Sequence, residues 1–290
     1  MDKISSRNRE AAIAQRATVL ETPCADGTMP FRQWNTGAPV TLVLLHGGSG
    51  SWTHWLANIP RLAEQFHLVV PDLPGLGDAA RLAPGYSAQD AADWTARGIG
   101  QIVGEKPFHL VGFSWGATLA SLVAAQVPVD RLLSLVLVGP AALGELPGRL
   151  GMLPLVSRKP DMSEAELWEV NRENLARLMI FDRARIDDLA VYLQTENTRR
   201  ARFNSPQFAR TRLILEALAI VTAPLRVVYG EYDAATYPYL GFAKQQLASV
   251  RGDLAFEVLP GAGHWVQYEL PEQFNEGLIR WIVSNTVLAD

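Results

Sequence analysis

The sequence predicts an α/β protein: a mostly parallel, eight-stranded sheet flanked by helices, with a helical insertion. Three observations predict it. Short, continuous apolar runs of strand length recur along the chain, as expected of strands buried on both faces. Amphipathic stretches separate them. From roughly 141 to 218 the strand signal stops and only helix signals remain.

The elements follow in order. Thr18–Glu21 and Pro30–Trp34 are weaker strand signals and are expected to form an antiparallel edge. Val40–Leu45 is a buried-strand run that ends in the loop His46-Gly47-Gly48-Ser49-Gly50-Ser51, ahead of a helix carrying Trp52, Trp55 and Leu56. Phe66–Val70 is the next strand, closed by Pro71-Asp72-Leu73-Pro74-Gly75. Ser87 is placed to cap a helix running through Trp94 and Ile102. Phe108–Phe113 is a strand, followed by Ser114 and a small-residue helix from Ala117 to Gln126. Leu132–Val138, Leu225–Tyr229 and Leu254–Leu259 complete the sheet. Within the insertion, helices are expected at Ser163–Phe181, with Ser163 as cap and Glu166 three residues on, and at Ile186–Asn197 and Pro206–Leu218. The expected organisation is a core made of 1–140 and 219–290, with 141–218 as a helical cap. In open α/β sheets ligands bind outside the carboxyl ends of the strands, where such a cap would lie.

Composition narrows the function. The 290 residues are 48% hydrophobic and 19% charged, enough for a sizeable core and unlike a disordered chain. A net charge of −4 supplies no basic footprint for nucleic acid. One cysteine, Cys24, excludes an internal disulfide framework and a Cys-based zinc cluster. The polar start and the short apolar runs give neither a secretory signal nor a membrane span, so a cytoplasmic protein is expected. No metal or cofactor is expected. A small-molecule substrate is, and a homo-oligomer is allowed.

The strongest chemical signal is Gly112-Phe113-Ser114-Trp115-Gly116, a G-x-S-x-G directly between an apolar strand and a helix. A sharp strand-to-helix turn strains the serine backbone and leaves no room for neighbouring side chains, hence the glycines. Serine is a weak nucleophile without a base. Of five histidines, His67 and His109 lie at the starts of strands, the wrong end of a parallel sheet, and His54 reads as a packed or exposed helix residue. His264 follows the last strand through Pro260-Gly261-Ala262-Gly263 and is the expected base. Asp233 follows the preceding strand and is the expected acid, with Glu231 and Glu145 as alternatives. Acyl chemistry also needs N–H donors for an oxyanion. Trp115, after the nucleophile, is one; the second comes from the glycine loop, at Gly48 with Ser49 as the alternative.

Together these features resemble the α/β-hydrolase fold family, over roughly Pro30 to Ile282. The resemblance implies a nucleophile at Ser114, an acid at Asp233, a base at His264 and oxyanion donors at Gly48 and Trp115. The tail Gly263-His264-Trp265-Val266-Gln267-Tyr268-Glu269 is similar to that of the meta-cleavage-product hydrolases, which break a carbon–carbon bond beside a ketone. Those enzymes are expected to hold a substrate carboxylate with a cap arginine. Here Gln194 falls at that place, and the nearby Arg199, Arg200 and Arg202 read as surface charges that could substitute. Trp115 also stands where those enzymes usually have methionine.

The expected activity is a cofactor-free serine hydrolase acting on a small, largely apolar acyl compound: an ester, a lactone or a carbon–carbon bond beside a ketone. Candidate substrate contacts are Gly47, Ser49, Phe113, Trp168, Met179, Gln194 and Trp265, with Leu178 as a further wall residue. The alternatives are a ligand-binding receptor with little turnover and a cofactor-free perhydrolase or haloperoxidase.

Overall fold

The apolar runs become strands, and the chain wraps them with helices. The computed structural model describes residues 2–145, 147 and 152–286. In chain order the elements are α1 (Lys3–Ala14), β1 (Thr18–Cys24), β2 (Gly27–Trp34), β3 (Thr41–Leu45), a 3-10 turn at Trp52–Trp55, α2 (Ile59–Leu62), β4 (His67–Pro71), α3 (Ala88–Val103), β5 (Phe108–Phe113), α4 (Trp115–Ala124) and β6 (Leu132–Val138). The insertion holds α5 (Glu164–Asn174), a π-helical turn (Leu175–Met179), α6 (Asp188–Arg200) and α7 (Leu213–Leu218). Then come β7 (Leu225–Gly230), α8 (Leu240–Ala248), β8 (Ala255–Leu259), α9 (Val266–Glu269) and α10 (Pro271–Thr286).

The eight strands form one sheet in the order β1-β2-β4-β3-β5-β6-β7-β8. β1–β2 and β2–β4 pair antiparallel, and the remaining neighbours pair parallel. Side chains alternate across the sheet with period two. Val43, Leu45, Leu110, Leu135 and Leu137 join one core cluster, and Leu42, Leu44, Val111, Val136 and Val138 join the other. From β3 the chain runs outward to β4, then crosses back past β3 to β5. That reversal opens a crevice at the carboxyl ends of β3 and β5, where the Gly47–Ser51 loop and Ser114 lie.

The helices depart from expectation in instructive ways. Ser87 and Ser163 cap α3 and α5 with complete capping boxes to Asp90 and Glu166, each contributing about 1 kcal/mol. The helix expected to run to Phe181 instead widens into the π turn and stops at Met179. The next free N–H groups, of Phe181 and Asp182, donate to the Glu269 carboxylate outside the helix. The helix expected over Pro206–Leu218 breaks into a 3-10 turn (Ser205–Phe208) and α7, because the Ala209 and Thr211 carbonyls accept from Ala142 and Gly144. The helix expected around Trp52 is a 3-10 turn, and Pro60 starts α2 as a separate unit. The polar helix α1 was not expected. It packs on α6, with Lys3 bonded to Glu164 and Tyr192 to Glu10.

Among the described residues no helix is long and apolar enough to cross a membrane, and no cluster of three or more His, Cys, Asp or Glu side chains is gathered to hold a metal ion.

Candidate active site

Ser114 sits between β5 and α4 at φ +54°, a left-handed conformation that costs a non-glycine residue about 1–3 kcal/mol. Two glycines make the turn possible. A Cβ at Gly112 would lie 2.2 Å from the Gly116 carbonyl oxygen, and one at Gly116 would lie 2.5 Å from the carbonyl oxygens of Leu45 and His46. The Ser114 N–H donates to the Val138 carbonyl at 2.8 Å, which ties the turn to β6.

The turn presents the Ser114 hydroxyl to His264, with Oγ 2.9 Å from Nε2. His264 Nδ1 is 2.8 Å from Asp233 Oδ2. Both partners are buried, and Asp233 Oδ1 also accepts from the Ala235 N–H at 2.9 Å. With Asp233 accepting from Nδ1–H, Nε2 is left free to accept the serine proton. Asp233 and His264 come from the loops after β7 and β8, which touch. A Cβ at Gly230 would lie 2.1 Å from the Gly263 carbonyl oxygen, and Tyr232 N–H donates to the Ala262 carbonyl at 2.8 Å. Of the alternative acids, Glu231 turns away to accept from the Gly261 N–H, and Glu145 lies on the wall of the cavity over Ser114, while Asp233 is the carboxylate bonded to His264 Nδ1.

The loop after β3 lies against the first turn of α4. A Cβ built on Gly48 would lie 3.6 Å from the Trp115 Cβ and 2.0 Å from the Ser205 hydroxyl, so Gly48 passes between helix and insertion. Neither the Gly48 nor the Trp115 N–H is taken up by a backbone hydrogen bond among the described residues. Trp115 also opens a helix whose first N–H groups have no partner within it. Two histidines brace this loop. His46 bonds the Gly47 carbonyl through Nδ1 and accepts the Leu73 N–H at Nε2. His54 Nδ1 accepts the Gly47 N–H at 3.1 Å. Burial holds both rings below the usual histidine range, His54 well below it with help from His46 and His264, so both stay neutral. His54 is thus part of the site's support, which helix periodicity did not reveal. The signal was its spacing of seven from Gly47 across a glycine loop. His67 and His109 are structural: His67 bonds Thr41 and Gln33, and His109 bonds Ser134 and Thr286.

A cavity of about 550 Å³ opens over Ser114 and His264. Gly47, Ser49, Phe113, Met179 and Gln194 line it, with Leu178. Trp168 and Trp265 do not, which corrects their expected role. The Trp265 indole N–H donates to the His54 carbonyl at 2.9 Å and its ring stacks on Tyr268, inside the core. Trp168 is buried on the far side of the insertion, beneath Lys3 of α1. The arginines near Gln194 also face elsewhere. Arg199 pairs with Glu164 and Glu196, Arg200 with Asp78, and Arg202 donates to the Gly77 and Ala79 carbonyls. Arg158 and Arg210, which sequence reasoning did not single out, line the cavity instead. Arg158 Nε donates to the buried Asn171 at 2.7 Å, and Asn171 in turn donates to Thr195. Burial lowers the Arg158 pKa from its usual value.

Comparison with known proteins agrees with this architecture. Residues 42–276 match the alpha/beta hydrolase family. A 2-hydroxy-6-oxononadienedioate/2-hydroxy-6-oxononatrienedioate hydrolase of Paraburkholderia phymatum is 26% identical, over 94% of this chain and 96% of its own. Among solved structures, naproxen esterase (carboxylesterase NP) from Bacillus subtilis superposes with a TM-score of 0.74 at 20% identity, over 96% of each chain. A mutant of the meta-cleavage product hydrolase CumD superposes with a TM-score of 0.69 at 21% identity, over 93% of this chain and 99% of its own. With the family matched over most of its length, and the sheet, the serine turn and the acid and base loops in the order described, the chain belongs to the alpha/beta hydrolase family.

Proposed function

We propose that the chain is a cofactor-free serine hydrolase of small, largely apolar acyl compounds, with residues 141–218 as a cap domain over the site. The observation that carries this reading is the unbroken hydrogen-bonded line from Ser114 Oγ through His264 to Asp233, at 2.9 and 2.8 Å, on a strained turn beside a cavity. Ser114 Oγ attacks the substrate carbonyl carbon and its proton passes to His264 Nε2. Asp233 holds the imidazole and balances the charge it gains. The Gly48 and Trp115 N–H groups receive the oxyanion, each donor contributing about 10²–10³ in rate. His264 then protonates the leaving group, and water, activated by the same imidazole, releases the acyl chain.

The bond is an ester or lactone, or a carbon–carbon bond beside a ketone. The name of the Paraburkholderia relative, a 2-hydroxy-6-oxononadienedioate/2-hydroxy-6-oxononatrienedioate hydrolase, supports the second reading, in which the proton delivered by His264 goes to carbon. Arg158 on the cavity wall suits a substrate that carries an acid group.

The test combines a serine-directed phosphonate with a panel of p-nitrophenyl esters, lactones and vinylogous diketones. The expected result is stoichiometric labelling at Ser114 and multiple turnover on one class of the panel. Labelling followed by a single burst without turnover would mark a ligand receptor. Halide oxidation with peroxide in acetate would mark a perhydrolase. No labelling of the folded protein overturns the proposal.

A further inference from the structure

We propose that Glu269 is a positioning residue that couples the seating of the cap to the placement of the His264 imidazole; this rests on the reading of His264 as the base. Glu269 ends α9 and is 1% exposed. Its carboxylate faces only backbone donors among its hydrogen bonds. Oε2 accepts from the Gly263 N–H at 2.7 Å and the Phe181 N–H at 3.1 Å, and Oε1 accepts from the Asp182 N–H at 2.7 Å. Gly263 immediately precedes the base, and Phe181 and Asp182 belong to the cap. On the other side of His264, the Trp265 N–H donates to the Met179 carbonyl of the cap at 2.7 Å. Both neighbours of the base are therefore tied to one cap segment, 179–182.

That segment is fitted closely. A Cβ at Gly263 would lie 2.7 Å from the Phe181 nitrogen and 3.0 Å from the Met179 carbonyl oxygen. The Phe181 ring stacks on Tyr232 at 3.9 Å between centroids, and Tyr232 adjoins Asp233. The segment follows the π-helical turn, in which the Ile180 N–H reaches back to the Leu175 carbonyl. Leu178 and Met179 of that turn line the cavity. A substrate that presses on Leu178 and Met179 thus presses on the residues that hold His264.

The chemistry requires an ionised or fully accepting carboxyl group. Both oxygens accept backbone N–H groups, so an amide must turn its NH₂ toward at least one donor and lose that bond. Burial raises the Glu269 pKa, and the three N–H groups with Arg185 act against that rise. Arg185 further donates to the Glu269 carbonyl at 2.6 Å.

The test compares the full-length protein with Glu269→Gln, of equal volume. The readouts are the rate of Ser114 phosphonylation, kcat and KM on the active member of the panel, and the downfield proton resonance of the His264–Asp233 hydrogen bond. The expected result is a folded variant whose kcat and phosphonylation rate fall ~10- to 100-fold, the scale of a small misplacement of a catalytic group. KM stays close to the original value and the downfield proton broadens or disappears. A folded Glu269→Gln with unchanged kcat and an intact proton signal overturns the proposal, even when its melting temperature is lower. If Glu269→Gln does not fold, Glu269→Asp decides by the same measurements, since it keeps the charge but shortens the reach. Loss of kcat with loss of the proton signal supports the coupling, and unchanged values overturn it. Wild-type protein that resists phosphonate labelling refutes the hydrolase reading itself, a separate result.

Discussion

The two sides of the site are held by different means. On the serine side, the turn at Gly112–Gly116 is wedged between β3, β5 and β6 by close backbone contacts, and the missing Cβ atoms of Gly112 and Gly116 define the fit. On the His264 side, the loop at Gly261–Trp265 touches the loop after β7 and also leans on one carboxylate and on the insertion, through Glu269, Met179 and Phe181. Both turns rest on strand-end loops, but the loop that carries His264 is also hydrogen-bonded to the insertion.

The largest expected effect is the loss of either partner. Ser114→Ala and His264→Ala should each lower kcat by about 10⁴–10⁶, as members of one unit do. Steady-state kinetics on the active substrate checks this, and circular dichroism should show both variants folded. Retained activity in a folded variant would remove the distinction between the two sides.

A pair of glycine substitutions tests the difference in rigidity. Gly116→Ala drives a methyl group into the Leu45 and His46 carbonyls at the heart of the sheet. It should cost about 1–3 kcal/mol in urea unfolding and about 10²-fold in kcat, because the Trp115 N–H moves with it. Gly263→Ala meets the insertion backbone at Phe181 and Met179, at 2.7 and 3.0 Å against 2.5 Å for Gly116. Its loss of stability should be smaller. Equal losses at the two positions would mean that cap and sheet are equally stiff.

The last effect, on stability without activity, concerns the far end of the sheet. Burial lowers the His109 pKa from the usual 6.5 to about 4. Unfolding restores the usual value, so as the pH falls from about 6.5 to about 4 the unfolded chain gains the proton first and stability is lost. At full extent the loss is about 3 kcal/mol. Replacement of His109 by Gln removes that titration and should flatten the pH dependence of urea midpoints in this window. An unchanged slope would mean that other buried groups, such as His46 and His54, carry the acid sensitivity.

Much of this was legible from residue order. Strand runs such as Phe108–Phe113 and Leu132–Val138 end in the structure where their apolar pattern ends. Gly112, Ser114 and Gly116 announce their turn because the pattern spans five consecutive residues, although the close contacts of Gly116 are with Leu45 and His46. Asp233 and Glu231 were harder to separate, since two residues of spacing say nothing about which carboxylate turns inward. Trp168 and Trp265 were misplaced for a related reason. Position along the chain brought them near the site, but an indole hydrogen bond to His54 and burial beneath α1 took their rings elsewhere. Helix α1 itself was invisible, because a polar helix declares no apolar face and is held by partners more than 150 residues away, such as Glu164 and Tyr192.

By itself the amino-acid sequence determined the sheet, its flanking helices and the strained serine turn, because apolar period and the glycine-serine-glycine spacing are patterns of near neighbours in the chain. Only the tertiary structure decided which histidines brace the Gly47 loop, which arginines reach the cavity and which backbone groups hold the His264 loop. Each of those depends on how side chains and backbone meet in a buried space, where leaving a donor or acceptor unpaired is costly.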